Sequence, residues 1–292
     1  MTDVLFMKTV MILKSKISCT FEKKLHMKIS RLLYLILIGF TLYSCSDDDT
    51  DLPGNTPPEE ADNYFPLVIG NFWDYENVFM PSGQDDFVSN ETLSVVGSSN
   101  GNFDLDTDNL MDAGPVTSAL SQGILRKSGD QLIFTGSLGF VVEGFPALDI
   151  ALDNAPIYDL NAPENTVMYS DSGSFQETIE GVPVTFTYEI KTVMDDMLSA
   201  YTVNGTSYND VIKSKIILTL KISAELFFEV TILPEQEVVD IENYFAKDIG
   251  MIYSDTDVDF DFIELSQSPI PLEDIEIDIT QSLESYNVEL EQ

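Results

Sequence analysis

Apolar and polar residues alternate one by one over much of the second half of this chain. In the segment 184–191, an apolar residue stands at every second position and a polar one at the others. The same alternation recurs at 216–222, 228–232, 258–262 and 275–280. Successive side chains of a strand point to opposite faces of a sheet, so these segments predict antiparallel strands with one packed face and one wet face.

Turn residues separate the alternating segments, whereas helical patterns are scarce. The turn signals are Pro81-Ser82-Gly83, Asn100-Gly101, Gly129-Asp130, Glu180-Gly181 and Asn204-Gly205. Pro115–Gln122 and Asp195–Tyr201 are the two candidate helices. We therefore expect a mainly β protein: a single, strongly curved antiparallel sheet, or an open barrel or sandwich, with one or two short helices.

A short apolar run precedes this β-rich part and has the features of a secretion signal. Two basic residues follow Met27, and residues 32–42 form an apolar stretch of eleven residues. That length is typical of a signal peptide, because a membrane-spanning helix needs roughly 20 apolar residues. Leu42 and Ser44 stand three and one positions before Cys45, the pattern that lipoprotein signal peptidase accepts. Lipidation at Cys45 is the prediction; an ordinary secretory signal or an N-terminal membrane anchor is the alternative.

The predicted cleavage divides the chain into three parts. Residues 1–44 are an N-terminal extension and signal peptide, and residues 1–26 are explained most simply by translation that begins at Met27. Residues 45–63 contain the lipidated cysteine and an acidic, proline-rich tether, which could span at most about 60 Å. Residues 64–292 are expected to form one β-rich extracytoplasmic domain.

The charge balance becomes more extreme once the signal segment is removed. The whole chain carries a formal charge of −36, and residues 45–292 contain 48 acidic and 7 basic residues, a charge of −41. Such a charge balance argues against nucleic acid or an anionic membrane surface as a partner. We expect salt or bound cations to screen this charge.

The supply of catalytic residue types is small. His26 is the only histidine, and the two cysteines are Cys19 and Cys45, so the mature protein has neither a histidine nor a free thiol. Histidine-dependent triads, the usual zinc sites, thiol chemistry and disulfides are therefore excluded. The segment 97–101 matches the G-x-S-x-G nucleophile elbow, but its flanks predict strands and Asn100-Gly101 predicts a hairpin turn.

Two groups of residues resemble Bacteroidota lipoproteins. Cys45-Ser46-Asp47-Asp48-Asp49 resembles the signal that exports such proteins to the outer leaflet of the outer membrane. Tyr64-Phe65-Pro66-Leu67-Val68-Ile69-Gly70-Asn71-Phe72-Trp73-Asp74-Tyr75 resembles the YFPLxxGNxWxY opening of many of their domains. The segments 243–252 and 283–288 resemble later strands of those domains, with Asp248 where the motif has glycine. The resemblance implies a surface-exposed, β-rich lipoprotein of unassigned function, and no catalytic residue carries over.

Carboxylates and one aromatic are the remaining candidates for chemistry. A first set falls on one face of a strand, with Glu276 and Asp278 on the polar face of a nearby one. These residues are Asp255, Asp257, Asp259 and Asp261. A second set is Asp104, Asp106 and Asp108. Neither has EF-hand spacing, so each predicts either a Ca²⁺ site or a solvated acidic face. Trp73 is either a sugar-stacking platform or a core residue, and a core role is favoured.

Three classes of function remain for an outer-membrane lipoprotein that faces the cell exterior. The leading one is a non-catalytic module that binds a glycan, a protein or a matrix component. The second is a carrier of an apolar ligand in a curved sheet. The third is a glycoside hydrolase that uses two carboxylates alone. We expect no cofactor other than Ca²⁺, and the membrane, through Cys45, is the one partner that the sequence names.

Overall fold

The computed structural model describes residues 62–140, 147–179, 181–225, 228–263 and 273–290. The predicted signal peptide and Cys45 lie outside the described residues, so lipidation at Cys45 stays a prediction. Residues 61–292 form one compact unit. Its strands and its helix are, in chain order, β1 (Phe72–Pro81), β2 (Phe87–Ser99), β3 (Asn102–Thr107), α1 (Pro115–Gln122), β4 (Ile124–Ser128), β5 (Gln131–Phe140), β6 (Leu148–Asp159), β7 (Thr166–Ile179), β8 (Val182–Val203), β9 (Thr206–Glu225), β10 (Glu229–Ala246), β11 (Gly250–Phe260) and β12 (Ile275–Asn287).

The strands form one antiparallel sheet that is nearly closed into a barrel, as the alternation predicts. The order across the sheet is β6-β5-β4-β3-β2-β1-β12-β11-β10-β9-β8-β7. The first strand therefore pairs with the last, and the two edge strands, β6 and β7, approach each other across the remaining gap. Side chains of one alternating phase point into the barrel and form its core, whereas those of the other phase face outward.

Of the two helices predicted from sequence, one is confirmed and one is wrong. Helix α1 occupies Pro115–Gln122, with the proline at its first turn, and buries Val116, Thr117 and Leu120. The predicted helix at Asp195–Tyr201 is instead part of β8, which pairs with β9 as far as Val203. A bulge between Met194 and Asp196 interrupts the alternation there. The strand pattern is lost locally, although tertiary pairing keeps the segment extended.

The aromatic residues of the YFPLxxGNxWxY opening lie in the core. Trp73 is fully buried, its ring stacks on Phe65 with 4.8 Å between the centroids, and its Nε1 donates to the carbonyl of Ile249 at 2.6 Å. Phe245 meets Phe65 edge to face at 6.0 Å. The core role of Trp73 is thus confirmed, and an exposed sugar platform at this position is wrong.

The turns at Asn100-Gly101 and near Gly250 require positive φ for different reasons. Asn100 and Gly101 have φ values of 54° and 79°, which makes the tight β2–β3 hairpin and excludes the nucleophile elbow. Asp248 takes φ 62°, a conformation that aspartate tolerates. Gly250 has φ 120°, and a Cβ there would lie 2.7 Å from Trp73 Nε1. The β10–β11 turn therefore needs glycine at position 250, because any side chain would displace the indole.

Candidate binding face

The predicted carboxylates of β11 belong to a larger group that spans three strands on the outer face of the sheet. In the register of the strands, Asp257 is opposite both Asp240 of β10 and Asp278 of β12. Asp255 is opposite Glu242, and Asp259 is opposite Glu276. We call these seven residues the acidic array: Asp240, Glu242, Asp255, Asp257, Asp259, Glu276 and Asp278. Like charges directly opposite each other repel, so the array costs the fold stability.

Burial and, after it, this repulsion raise the pKa values of the central carboxyls. Partial burial, and after it the charges of Glu242, Asp278, Asp257 and Asp240, raises the pKa of Asp255. The pKa of Asp257 is raised by burial and then by Asp278 and Asp240, and that of Asp259 by burial and then by Asp261 and Asp257. A positively charged or hydrogen-bond-donating ligand would relieve this repulsion.

The other predicted carboxylates lie at the margins. Asp261 follows the end of β11, where its backbone N–H donates to Gln236 Oε1 at 3.2 Å. Asp104 and Asp106 are exposed on β3, and Asp108 just beyond it accepts from the backbone N–H of Thr92 at 2.8 Å. Among the described residues, no group of three or more His, Cys, Asp or Glu side chains could hold a metal ion. Cation binding by either predicted set stays a prediction.

Two lysines of β9 neutralise one end of the acidic array. Glu242 Oε1 accepts from Lys213 Nζ at 2.8 Å and from Lys215 Nζ at 2.6 Å. Lys213 also pairs with Asp195 at 2.9 Å, and Lys215 with Asp240 at 3.3 Å. Burial raises the pKa of Glu242, but the hydrogen bonds from Lys213, Lys215 and Tyr244 outweigh it and lower the pKa to about 2. The two lysines therefore fix Glu242 as a carboxylate.

Three tyrosines pack beside this network and form what we call the tyrosine trio: Tyr201, Tyr244 and Tyr253. Tyr201 stacks on Tyr244 with 4.3 Å between the ring centroids, and Tyr253 lies 5.9 Å from Tyr201 and 5.6 Å from Tyr244. Tyr244 is buried beneath the others, its hydroxyl donates to Glu242 Oε2 at 3.0 Å, and Lys213 Nζ lies 5.5 Å from its ring centre. Burial and the neighbouring Asp255 raise the pKa of Tyr253 to about 12, so its hydroxyl stays a neutral donor.

The sequence interpretation missed the trio and the lysines. Lys213, Lys215 and Tyr244 stand on the polar phase of β9 and β10, so their outward orientation could have been predicted from the alternation. Tyr201 could not, because it comes from β8, which is two strands away from β10 in the sheet. The long β8–β9 hairpin carries Tyr201 to the trio, and its tip reaches β12, where Asn204 Nδ2 donates to Glu284 Oε1 at 2.7 Å.

A second polar cluster, which we call the Glu91 cluster, lies inside the barrel. Glu91 is 3% exposed, and Oε1 accepts from Asn77 Nδ2 at 2.9 Å, the backbone N–H of Gly114 at 3.0 Å and Thr117 Oγ1 at 2.5 Å. Oε1 also accepts from Gln281 Nε2 at 3.2 Å, and Oε2 accepts from Thr107 Oγ1 at 2.8 Å.

The Glu91 cluster is structural in character. Glu91 is the only carboxylate among the described residues that is buried, and the groups that contact it are neutral donors from three strands and from the start of α1. Gly114, the residue before α1, has no side chain to cap the helix; Gln281 Oε1 accepts the first-turn N–H of Val116 at 3.2 Å, and Glu91 accepts the N–H of Gly114. The cluster therefore attaches the helix to the sheet.

Two spaces lie within or beside the described part of the barrel. A cavity of about 20 Å³ lies between α1 and strands β5, β6, β9 and β10, and its wall is apolar except for Asn243. A surface pocket of about 250 Å³ opens between Tyr64 and the segments 197–199 and 210–211. Pockets that enclose small molecules measure roughly 300–1,000 Å³, so neither space encloses a ligand of that size.

Comparison with known proteins identifies no relative of this chain. No protein-family model, curated protein or solved structure matches it. Within the described residues, no helix has both the length and the apolar character needed to cross a membrane.

Proposed function

We propose that this protein is an outer-membrane lipoprotein, anchored through Cys45 and facing the cell exterior, whose β domain is a non-catalytic module that binds a glycan. The observation that carries the proposal is the tyrosine trio beside Lys213, Glu242 and Asp255 on the outer face of the sheet. This group combines aromatic rings with fixed polar groups at one place on the surface.

The chemistry of the face is that of carbohydrate recognition. The apolar C–H groups of a sugar ring pack on the electron-rich faces of aromatic rings, and Tyr201 and Tyr253 are both half-buried, with part of each side chain open to solvent. Sugar hydroxyls both donate and accept, and the neighbouring tyrosine hydroxyl, lysine and carboxylates offer both functions. Ion pairs with the lysines hold these groups in place, which lowers the entropy lost when a ligand binds.

The negative charge of the protein limits which sugars could bind to this face. The acidic array adjoins the trio, and the mature chain carries a formal charge of −41. Uronic acids and sulfated sugars would be repelled by this surface. We therefore propose that the ligand is neutral or carries amino groups.

The size of the cavity beneath α1 argues against the carrier, and the placement of the carboxylates argues against the hydrolase. An apolar ligand would need far more room than the cavity of about 20 Å³ beneath α1. A glycosidase needs two carboxylates facing each other across a bound sugar, with separations of roughly 5–9 Å. The carboxylates of the acidic array instead stand side by side on the outer face of the sheet.

Binding to an array of neutral, amino and acidic glycans tests the proposal. We expect the full chain to retain neutral or amino glycans, and the double variant Tyr201→Ala/Tyr253→Ala to lose at least tenfold in affinity. Tyr286→Ala is the matched control, because Tyr286 is a tyrosine of the same sheet that is open to solvent, at 45% exposure, but lies outside the trio. If the double variant binds glycans as tightly as the unmodified chain, or if only acidic glycans are retained, the proposal is refuted. If the protein binds no glycan but captures a protein partner, the ligand is a protein and the glycan proposal is wrong.

The anchor is tested separately. We expect mass spectrometry of the protein from its native host to find a diacylglyceryl group and an acyl chain on Cys45, and external protease to remove the domain from intact cells. Cys45→Ser should release the protein from the membrane fraction. An unmodified Cys45 would contradict the anchor without bearing on the glycan.

A further inference from the structure

A line of polar residues crosses the inner face of the sheet at one level, where the other inward residues are mostly apolar. Each member is the direct cross-strand partner of the next, from β9 through β10, β11, β12 and β1 to β2. We call this line the polar belt: Ser214, Asn243, Ser254, Gln281, Asn77 and Ser89. Five of the six are completely buried, and Ser89 is 6% exposed.

The two halves of the belt differ in how their polar atoms are paired. Gln281, Asn77 and Ser89 join the Glu91 cluster or the loop before α1 through hydrogen bonds, although Asn77 Oδ1 itself has no partner among the described residues. In the other half, Ser214 Oγ, Ser254 Oγ and both polar atoms of the Asn243 side chain have no hydrogen-bond partner among the residues that the structure describes. Buried polar groups in folded proteins are paired in about 90% of cases, with protein or with ordered water.

Asn243 lies at the centre of this unpaired half and also lines the cavity beneath α1. The cavity measures about 20 Å³, and one water molecule needs roughly 10–15 Å³ on this measure. A bound water also needs two to four polar partners. The Asn243 amide and the hydroxyls on its two sides supply that number, because directly opposite side chains in a sheet have Cβ atoms about 4.5–5.5 Å apart.

We propose that Ser214, Asn243 and Ser254 form an internal hydration site, in which at least one ordered water molecule bridges β9, β10 and β11 inside the barrel. The site takes water rather than a cation, because its three members are neutral and the wall of the cavity that Asn243 lines is otherwise apolar. An organic ligand would need a larger space. This site does not depend on the ligand of the outer face.

Relaxation dispersion of the water oxygen-17 nucleus counts waters held inside a protein for longer than its tumbling time. We expect the full chain to hold such waters, and Asn243→Leu to lose at least one of them, because the apolar side chain removes the central partner and fills the space. A crystal structure should show a water within hydrogen-bond distance of the Asn243 amide and of at least one of the two serine hydroxyls.

Ser98→Ala is the matched control, since Ser98 is exposed on β2. This variant should leave the number of long-lived internal waters unchanged. If Asn243→Leu does not fold, Ser254→Ala takes its place, and loss of at least one long-lived water is again the expected result. An unchanged count in the variant that folds, or electron density that shows Asn243 bonded directly to the serines, would overturn the proposal.

Discussion

Removal of the Glu91 carboxylate should destabilise the protein more than any other single truncation of an acidic side chain among the described residues. The variant is Glu91→Ala, which deprives five donors of their shared acceptor. Three of these donors have a second partner within reach. Asn77 also contacts Ser89, Thr117 also contacts the carbonyl of Gly114, and Gln281 also contacts Thr117.

The other two donors determine how much the free energy of unfolding falls. The Thr107 hydroxyl and the Gly114 backbone N–H have no acceptor other than Glu91 among the described residues. A buried donor left unpaired costs about 1–3 kcal/mol, so the two donors together cost about 2–6 kcal/mol. We therefore expect Glu91→Ala to lower the free energy of unfolding by about 3–5 kcal/mol, in the middle of this range. Glu91→Gln keeps one acceptor oxygen and should cost roughly half as much.

The protein contains its own probe for this measurement. Trp73 is the only tryptophan and is fully buried, so its fluorescence reports unfolding in urea without a label. The free energy is obtained from the midpoint and slope of the transition. Amide hydrogen exchange over residues 115–122 should accelerate in the variant as well, because Glu91 holds the first turn of α1.

Glu237→Ala is the control, since Glu237 is an exposed glutamate on β10. It should change the free energy of unfolding by less than about 0.5 kcal/mol. A loss below about 1 kcal/mol for Glu91→Ala, or one equal to that of the control, would refute the reasoning that this carboxylate attaches the helix to the sheet.

Four further outcomes are expected. Glu242 has a folded-state pKa of about 2, compared with an ordinary value of 4.5, so the stability that its charge contributes is complete above pH 4.5 and is lost as the pH falls through 2. Glu242→Gln should therefore lower the melting temperature at pH 7, and the melting temperatures of the variant and the wild type should converge near pH 2. Burial, and after it the charges of Asp278 and Asp240, raises the pKa of Asp257, so its ionised form destabilises the fold once the pH exceeds the folded pKa. Asp257→Asn should raise the melting temperature at pH 7, and by less in 1 M salt than in low salt; an equal gain at both salt concentrations would contradict a contribution from repulsion. Gly250→Ala should cost about 1–3 kcal/mol and shift the fluorescence of Trp73, whereas Gly83→Ala, at φ 74° with no atom within 4 Å, should leave that fluorescence unchanged. If the acidic array is a solvated face, millimolar Ca²⁺ should leave the melting temperature unchanged at fixed ionic strength, and a calcium-specific rise would establish a cation site.

The fold class could be predicted because period-two alternation is a local property. One polar phase places Asp255, Asp257 and Asp259 on the same outer face, and Asn100-Gly101 forms the hairpin that its residues require. The strand order could not be derived, since no local pattern records that β1 pairs with β12. The bulge in β8 misled the prediction because two adjacent aspartates erased the alternation.

The interior polar groups were missed for a different reason. Asn77, Ser89 and Glu91 stand on the inward phase of β1 and β2, where the alternation rule expects apolar side chains. A charged residue on the apolar phase was the available signal, and its meaning depends on the donors around it. Those donors include Gln281, which lies 190 residues away in sequence, so only the assembled sheet reveals them.

The pairing of the first strand with the last has a consequence for the order of folding. Trp73 of β1 is opposite Tyr286 of β12, and the Glu91 cluster is complete only when Gln281 of β12 donates to Glu91. Contacts so distant in sequence make folding slow, because the chain must lose the entropy of closing a long loop before these contacts can stabilise it. The barrel cannot be completed until β12 has emerged. For the lipoprotein proposed above, this delay would lengthen the interval in which the chain is unfolded and able to cross a membrane.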